Sequence, residues 1–168
     1  QPVQVRARAL LNATNWSALN EAAFDVARIG IPLRITELHY NPSDSPAYEF
    51  LELQNIGGAP VDLSGMYFDG ITFTFNTGTS LPAGERLLLA TSADPSAFAL
   101  RYPTTTVFGY YDGGLNNSGE RITLFDRFDN IITSLDYDDA NKWPTSTNNT
   151  NQSLKITNTN KNPNDPTN

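Results

Sequence analysis

Apolar residues recur along this chain in short runs, with polar residues threaded between them at a spacing of two. Val3-Gln4-Val5-Arg6-Ala7-Arg8-Ala9-Leu10 alternates in this way, and so does Glu49-Phe50-Leu51-Glu52-Leu53-Gln54-Asn55. That period is the one a half-buried strand imposes, because successive side chains point to opposite faces. From residue 33 onward the pattern predicts strands at 33–40, 48–55, 66–75, 85–91, 121–126, 131–137 and 153–157. The breaks are Asn41-Pro42-Ser43-Asp44-Ser45-Pro46, Gly57-Gly58-Ala59-Pro60, residues 76–84 and residues 126–130. Each is rich in residues that tolerate left-handed φ or fix a turn. The result is an all-β chain, with turn signals at the spacing of a small β-sandwich.

One short helix is expected near 94–102. Asp94 can cap it, Pro95 suits its first position and Pro103 ends it. The Asn- and Thr-rich tail from Thr145 is expected to be loop around a single strand at Leu154-Lys155-Ile156. Before residue 33 the pattern predicts a hairpin: a strand over 3–10, a turn at Asn12–Asn15, and a return over Phe24-Asp25-Val26-Ala27. Residues 16–23 have the propensity for a helical turn, although eight residues is short for a helix. A lone hairpin is marginal in water. Residues 1–30 are therefore expected to be the remnant of a preceding β module, with Gly30-Ile31-Pro32 as linker and a second domain over 33–168.

Composition narrows the partners. At 168 residues the chain can bury a core without covalent staples, and it has no cysteine, which excludes disulfides and thiolate metal sites. The absence of cysteine is compatible with a bacterial exported protein and argues against a small disulfide scaffold. The formal charge is -7. Residues 1–30 carry three arginines against two acids, a net of +1, while the remainder has eight cations against sixteen acids, a net of -8. Such a surface is repelled by phosphate backbones, so no nucleic-acid partner is expected. No apolar run approaches the roughly 20 residues that span a bilayer. No signal peptide is visible, and the first residues already have strand pattern, so the chain is expected to begin inside a longer protein.

The ordered set of segments resembles the lamin tail domain family, in its bacterial form. The resemblance opens with Leu33-Arg34-Ile35-Thr36-Glu37-Leu38-His39-Tyr40-Asn41-Pro42 and Glu49–Asn55, followed by Leu63-Ser64-Gly65-Met66. Phe73-Thr74-Phe75 and residues 81–89 are similar to the middle pair of strands with its Pro/Gly turn. Tyr111-Asp112-Gly113-Gly114-Leu115-Asn116-Asn117-Ser118-Gly119-Glu120 is similar to the glycine-asparagine segment before the strand Ile122-Thr123-Leu124. Residues 130–139 with Trp143-Pro144, then Ser153–Ile156, match the closing part. Two positions depart: Met66 stands where the family usually has Trp, and the final Asn-Asp-Pro is followed by Thr167-Asn168 rather than Trp. The resemblance implies an immunoglobulin-like β-sandwich and a non-catalytic module, of the kind that accompanies enzymes or adhesins in surface proteins. Residues 1–30 resemble the closing hairpin of the β modules that precede such domains. The DNA association of eukaryotic lamin tails is not expected to transfer to so acidic a chain.

Candidate chemistry is sparse. His39 is the only histidine, no Gly-x-Ser-x-Gly elbow exists, and Ser118 sits in a glycine-asparagine turn, so no nucleophilic triad is expected. His39 reads as a strand surface or edge residue. Glu37, Glu49 and Glu52 suggest a carboxylate pair, but Glu49 and Glu52 are three apart and a regular strand sends them to opposite faces. With Leu51 and Leu53 inward, Glu52 should face out and pair with a cation on the next strand. Asp136, Asp138 and Asp139, with Asn141, form the densest oxygen cluster, ahead of Asp126, Asp129 and Asn130. They are the candidates for calcium, the one cofactor the chain suggests, and also ordinary turn residues. Tyr67, Phe68, Tyr110, Tyr111 and Trp143 are candidates for a carbohydrate-stacking face, with Trp143, Tyr110 and Tyr111 foremost; a sandwich core needs such aromatics too. Asn-x-Ser/Thr sequons at Asn12 and Asn148 matter only in a secreted eukaryotic protein. The expected function is a non-catalytic interaction or structural module of an exported bacterial protein, contacting neighbouring domains or protein partners. The alternative is a carbohydrate-binding module beside a secreted enzyme.

Overall fold

The computed structural model describes residues 3–10, 12, 14–24, 30–140 and 143–168, with backbone alone at 3, 4 and 22–24. The chain divides into two compact units, Gln1–Gly30 and Ile31–Asn168. In the first, β1 (Val3–Ala7) pairs antiparallel with β2 (Asn20–Phe24), Ala7 lying opposite Asn20. The Asn12 carboxamide oxygen accepts from the Thr14 and Asn15 N–H groups and shapes the turn. The return strand starts at Asn20, earlier than the spacing suggests, and residues 16–19 are extended or irregular instead of helical. A bridge between Leu10 and Trp16, with the Arg8 guanidinium 5.3 Å from the Trp16 ring, draws this stretch back along β1. Residues 25–27 of the expected strand lie outside the described residues.

The second unit is built on a five-stranded sheet of order β12-β3-β4-β8-β9. Its strands are β3 (Leu33–His39), β4 (Phe50–Asn55), β8 (Arg86–Thr91), β9 (Gly109–Tyr111) and β12 (Leu154–Lys155). A three-stranded antiparallel sheet, β11-β10-β6, is formed by β6 (Tyr67–Asp69), β10 (Gly119–Phe125) and β11 (Ile131–Asp138). A small ribbon joins β5 (Val61–Asp62) to β7 (Ser80–Leu81). One core joins the two larger sheets: Leu33, Ile35, Leu38, Leu51 and Leu53 from one, Phe68, Ile122, Leu124 and Leu135 from the other. The all-β expectation holds, and the alternation in β4 places Leu51 and Leu53 inside as predicted.

Three local departures have physical causes. The expected strand over 66–75 is a hairpin: Asp69-Gly70 is a turn pair, Gly70 has φ of 97°, and Phe68 N–H donates to Phe73 at 3.0 Å. Only glycine fits there, since a Cβ would lie 2.6 Å from Ile122 Cδ1 and 2.8 Å from the Arg121 carbonyl oxygen. In β3 the pairing with β4 skips from Ile35 to Glu37, so Thr36 is an extra residue. The bulge shifts the phase of the strand, and Leu38 and Tyr40 take the inward positions that Leu33 and Ile35 hold before it. Finally, β8 and β9 are parallel, and parallel neighbours require a crossover. The α-helix α1 (Pro95–Arg101) lies within that crossover, capped by the Asp94 carboxylate on Ala97 N–H. Phe98 packs on Phe50 and Ala90, covering the sheet face opposite the main core. The helix is therefore part of the sandwich.

Asn55 ends β4 fully buried. Its amide nitrogen lies 2.8, 3.0 and 3.1 Å from the carbonyl oxygens of Ala59, Leu81 and Pro82, and its oxygen accepts from Gly57 N–H at 2.9 Å. One side chain thereby closes two loops. Truncation leaves buried backbone groups unpaired, each costing about 1–3 kcal/mol. Asn55→Ala should lower stability by about 2–4 kcal/mol, read as a lower urea midpoint at unchanged slope.

Candidate functional site

The chemistry-bearing side chains with the most unusual surroundings gather where the 112–119 loop meets β4. Glu49 follows the 3-10 turn Pro46–Tyr48 and is 3% exposed. Its carboxylate accepts from the buried Leu115 N–H at 2.9 Å and from the Tyr111 hydroxyl at 3.5 Å. Burial pushes its pKa up to about 7, against the opposing pull of those two hydrogen bonds, and the nearby Glu120 charge adds to the rise. Glu120 holds the next residue, accepting from Asn116 N–H at 2.6 Å. The Tyr137 hydroxyl lies 2.9 Å from the Asn116 carbonyl and 3.0 Å from Glu120. Burial, then the neighbouring carboxylates, raises both Tyr111 and Tyr137, so both phenols stay neutral. Gly119 makes the join possible: its φ is 98°, and a Cβ would sit 2.5 Å from the Tyr137 carbonyl oxygen. Two glutamates thus hold consecutive backbone amides. A carboxyl group this enclosed binds its own loop and has no open path to a substrate.

The sequence separates Glu49 from Glu52 correctly and does not foresee the meeting of Glu49 with the loop that leads to Glu120. The available signal was a carboxylate between Tyr48 and Phe50, at a strand start where both neighbours are apolar. Glu52 faces outward, 3.3 Å from Arg86 on β8, and takes the Thr36 hydroxyl at 2.7 Å. Glu37 pairs with Lys155 at 3.1 Å and with the Ser153 hydroxyl at 2.6 Å. Ser118 donates its N–H to the Asn116 side chain as part of the turn.

His39 requires a correction. It is 2% exposed, where the sequence suggests a surface or edge position. The Thr36 bulge sets His39 on the face that α1 covers, and its ring meets Phe50 edge-on at 5.5 Å. The Thr150 carbonyl, 3.2 Å from Nε2, can only accept, so Nε2 carries the proton and Nδ1 faces the Tyr102 hydroxyl at 3.4 Å. Burial lowers its pKa, keeping it neutral.

The acidic cluster disperses into local bonds. Asp136 pairs with Arg121 at 2.6 Å, Asp138 accepts from Ala140 N–H at 2.9 Å, and Asp139 takes the Asn148 amide at 3.3 Å. Asn141 lies outside the described residues. Asp126 accepts from the Phe128 and Asn130 N–H groups, closing the β10–β11 turn. Among the described residues no three acidic or imidazole side chains are grouped to hold a metal.

The aromatic candidates also part company. Tyr111 is fully buried beside Glu49, which removes it from any stacking face. Trp143 is half-buried against the core and lines a cleft of about 230 Å³ with Leu154, Ile156 and Pro163. Tyr110 is exposed on β9, at the far edge of the same sheet. Four strand spacings of roughly 4.8 Å put about 19 Å between those edges, so Trp143 and Tyr110 do not share a platform. Of the other candidates, Phe68 is buried in the core. Tyr67 lies on the other sheet, stacked at 5.4 Å and 13° on Phe125. Phe125 is an aromatic the sequence passes over, like Phe128, which stands 70% exposed in the adjoining turn.

Against known families, the model of the Lamin Tail Domain matches residues 30–139. The chain belongs to the lamin tail domain family. No curated protein and no solved structure matches it. The family is immunoglobulin-like and non-enzymatic, in keeping with the sandwich described above. The matched segment of this lamin tail domain contains Glu49, Tyr111, Leu115, Glu120 and Tyr137, and ends before Trp143.

The linkage for Glu49 has a definite sign. An acid whose pKa is raised by folding contributes fully below its unfolded value and loses that contribution as pH rises through the folded value. Stability should therefore fall between about pH 4.5 and pH 7, from the model-peptide value to the folded one. The fall is on the order of 2–3 kcal/mol. Glu49→Gln keeps an acceptor for Leu115 N–H and should flatten that slope in urea midpoints measured across the range. A variant as steep as the parent would remove Glu49 as its origin.

Proposed function

We propose that this lamin tail domain is a non-catalytic interaction and structural module of a larger exported bacterial protein, making contacts with proteins or surfaces. One contrast carries the reading. The groups with chemical potential, Glu49, His39, Tyr111 and Tyr137, are turned inward and held by the protein's own backbone and side chains. The groups presented to solvent include large apolar side chains on the three-stranded sheet and its turn. Residues 1–30 fit the remnant of a neighbouring β module, because Val5, Leu10, Trp16 and Leu19 of a two-stranded hairpin stand about half exposed. The cysteine-free composition is compatible with export.

Three assays on the full chain separate this reading from its competitors. Chromogenic ester, phosphoester and glycoside substrates should show no turnover; turnover abolished by Glu49→Gln would replace the module with an enzyme. Affinity electrophoresis through soluble polysaccharides should leave mobility unchanged; retardation lost in Tyr110→Ala would favour the carbohydrate alternative. A duplex DNA probe at low salt should run unshifted, since a net charge of -7 opposes phosphate contact.

A further inference from the structure

The outer face of the three-stranded sheet carries an apolar row that ordinary surface composition does not explain. Tyr67, Phe125 and Ile131 are register partners across β6, β10 and β11 and so lie side by side. Tyr67 and Phe125 are half-buried, stacked on each other, and Ile131 is 66% exposed. The row continues into the β10–β11 turn through Phe128. Beside Phe128 is a cleft of about 150 Å³, floored by Ile31 and Met66 and edged by Asp62 and Asp126. A half-buried aromatic pair flanked by the exposed Ile131, with the exposed Phe128 in the adjoining turn and polar groups around them, has the character of a contact surface.

The rim has a sign. Asp129 accepts from the Tyr67 hydroxyl at 2.7 Å, and the charges of Asp129, Asp69 and Asp126 all act on that phenol. Asp62 stands at the cleft. Arg127 is the one cation among the lining residues, and its guanidinium already lies 4.9 Å from the Phe128 ring. Phe128 is still 70% exposed with that guanidinium beside it, which leaves ring surface for a partner's cation or aliphatic stem. A second copy of this acidic domain would bring like charges together. A segment with cationic heads on aliphatic stems would match both the rings and the rim.

We propose that the Tyr67–Phe125–Ile131 row and the Phe128 cleft form a docking surface for a protein segment that carries arginine or lysine among aliphatic residues. This surface deepens the interaction reading above and rests on it. Aliphatic residues of the partner cover Ile131 and Phe125, while its cations meet Tyr67, Phe128 and the aspartates around them. The surface uses no group of the Glu49 cluster.

The test is a backbone amide NMR titration of the full chain with a short peptide in which arginine alternates with valine, and with its glutamate-for-arginine counterpart. Saturable shifts at residues 67–69 and 125–131 are expected with the arginine peptide only. The exposed double variant Phe128→Ser/Ile131→Ser, and separately Asp69→Lys, should weaken binding at least roughly ten-fold while leaving the amides of Ile122 and Leu124 in place. Saturable shifts that map elsewhere, such as the Trp143 cleft, overturn the surface and leave the interaction reading standing. Equal binding of the glutamate peptide, or no saturable shift with either, also overturns it. The interaction reading itself fails separately, through turnover in the substrate assays.

Discussion

Strand β4 occupies the middle of the larger sheet, with one face on the main core and the start of the other, at Phe50, covered by α1. A polar residue in such a position must find its partners inside the protein or destabilise it. The two polar residues that bound the strand do find them. Glu49 takes Leu115 N–H from the loop before β10, and Asn55 takes carbonyls from the loops around β5 and β7. The bonds to Leu115, Leu81 and Pro82 tie the central strand to chain many residues away. The rest of the sandwich is assembled around that double tie, and the loops that carry its turns are held from within.

The same constraint explains why the acids and phenols of this domain are structural. Burial makes an isolated charge costly, so the Glu49 pKa is pushed up to about 7 and the tyrosines around it stay protonated. Perturbed ionisation often marks a catalytic centre. Here it marks a joint, because the carboxylate takes the Leu115 N–H and the Tyr111 hydroxyl and the residue is buried. His39 follows the same logic, with a backbone carbonyl on one ring nitrogen and a phenol on the other. Contact with the outside falls to the opposite sheet, where the apolar row of β6, β10 and β11 faces out.

Much of the fold was legible because the alternation of β4, the Pro and Gly breaks and the Asp94-Pro95 start depend on neighbours in sequence alone. The family resemblance was legible for a related reason: it is a pattern of turns and strand starts in fixed order. The candidate sites were less legible. The dense aspartates of 136–139 looked like a possible ion site, but their oxygens close turns and meet Arg121. Trp143 and Tyr110 were both candidates for one stacking face, yet sheet order sets them at opposite edges. His39 looked exposed because strand alternation assumes an open outer face, whereas Phe50 and Tyr102 cover the ring there.

By itself, the sequence determined the local geometry: which segments extend, where glycine must turn the chain, where the helix starts, and that no cysteine or histidine cluster exists to support thiolate or imidazole chemistry. Only the tertiary structure decided which polar groups are buried, which aromatics share a face and which strand is central. Those outcomes turn on the bulge at Thr36, the parallel crossover through α1 and the meeting of Glu49 with a loop 66 residues away. Periodicity fixes which way a side chain points relative to its own strand. What stands opposite it is set by pairing between distant segments, and that pairing has no period to read.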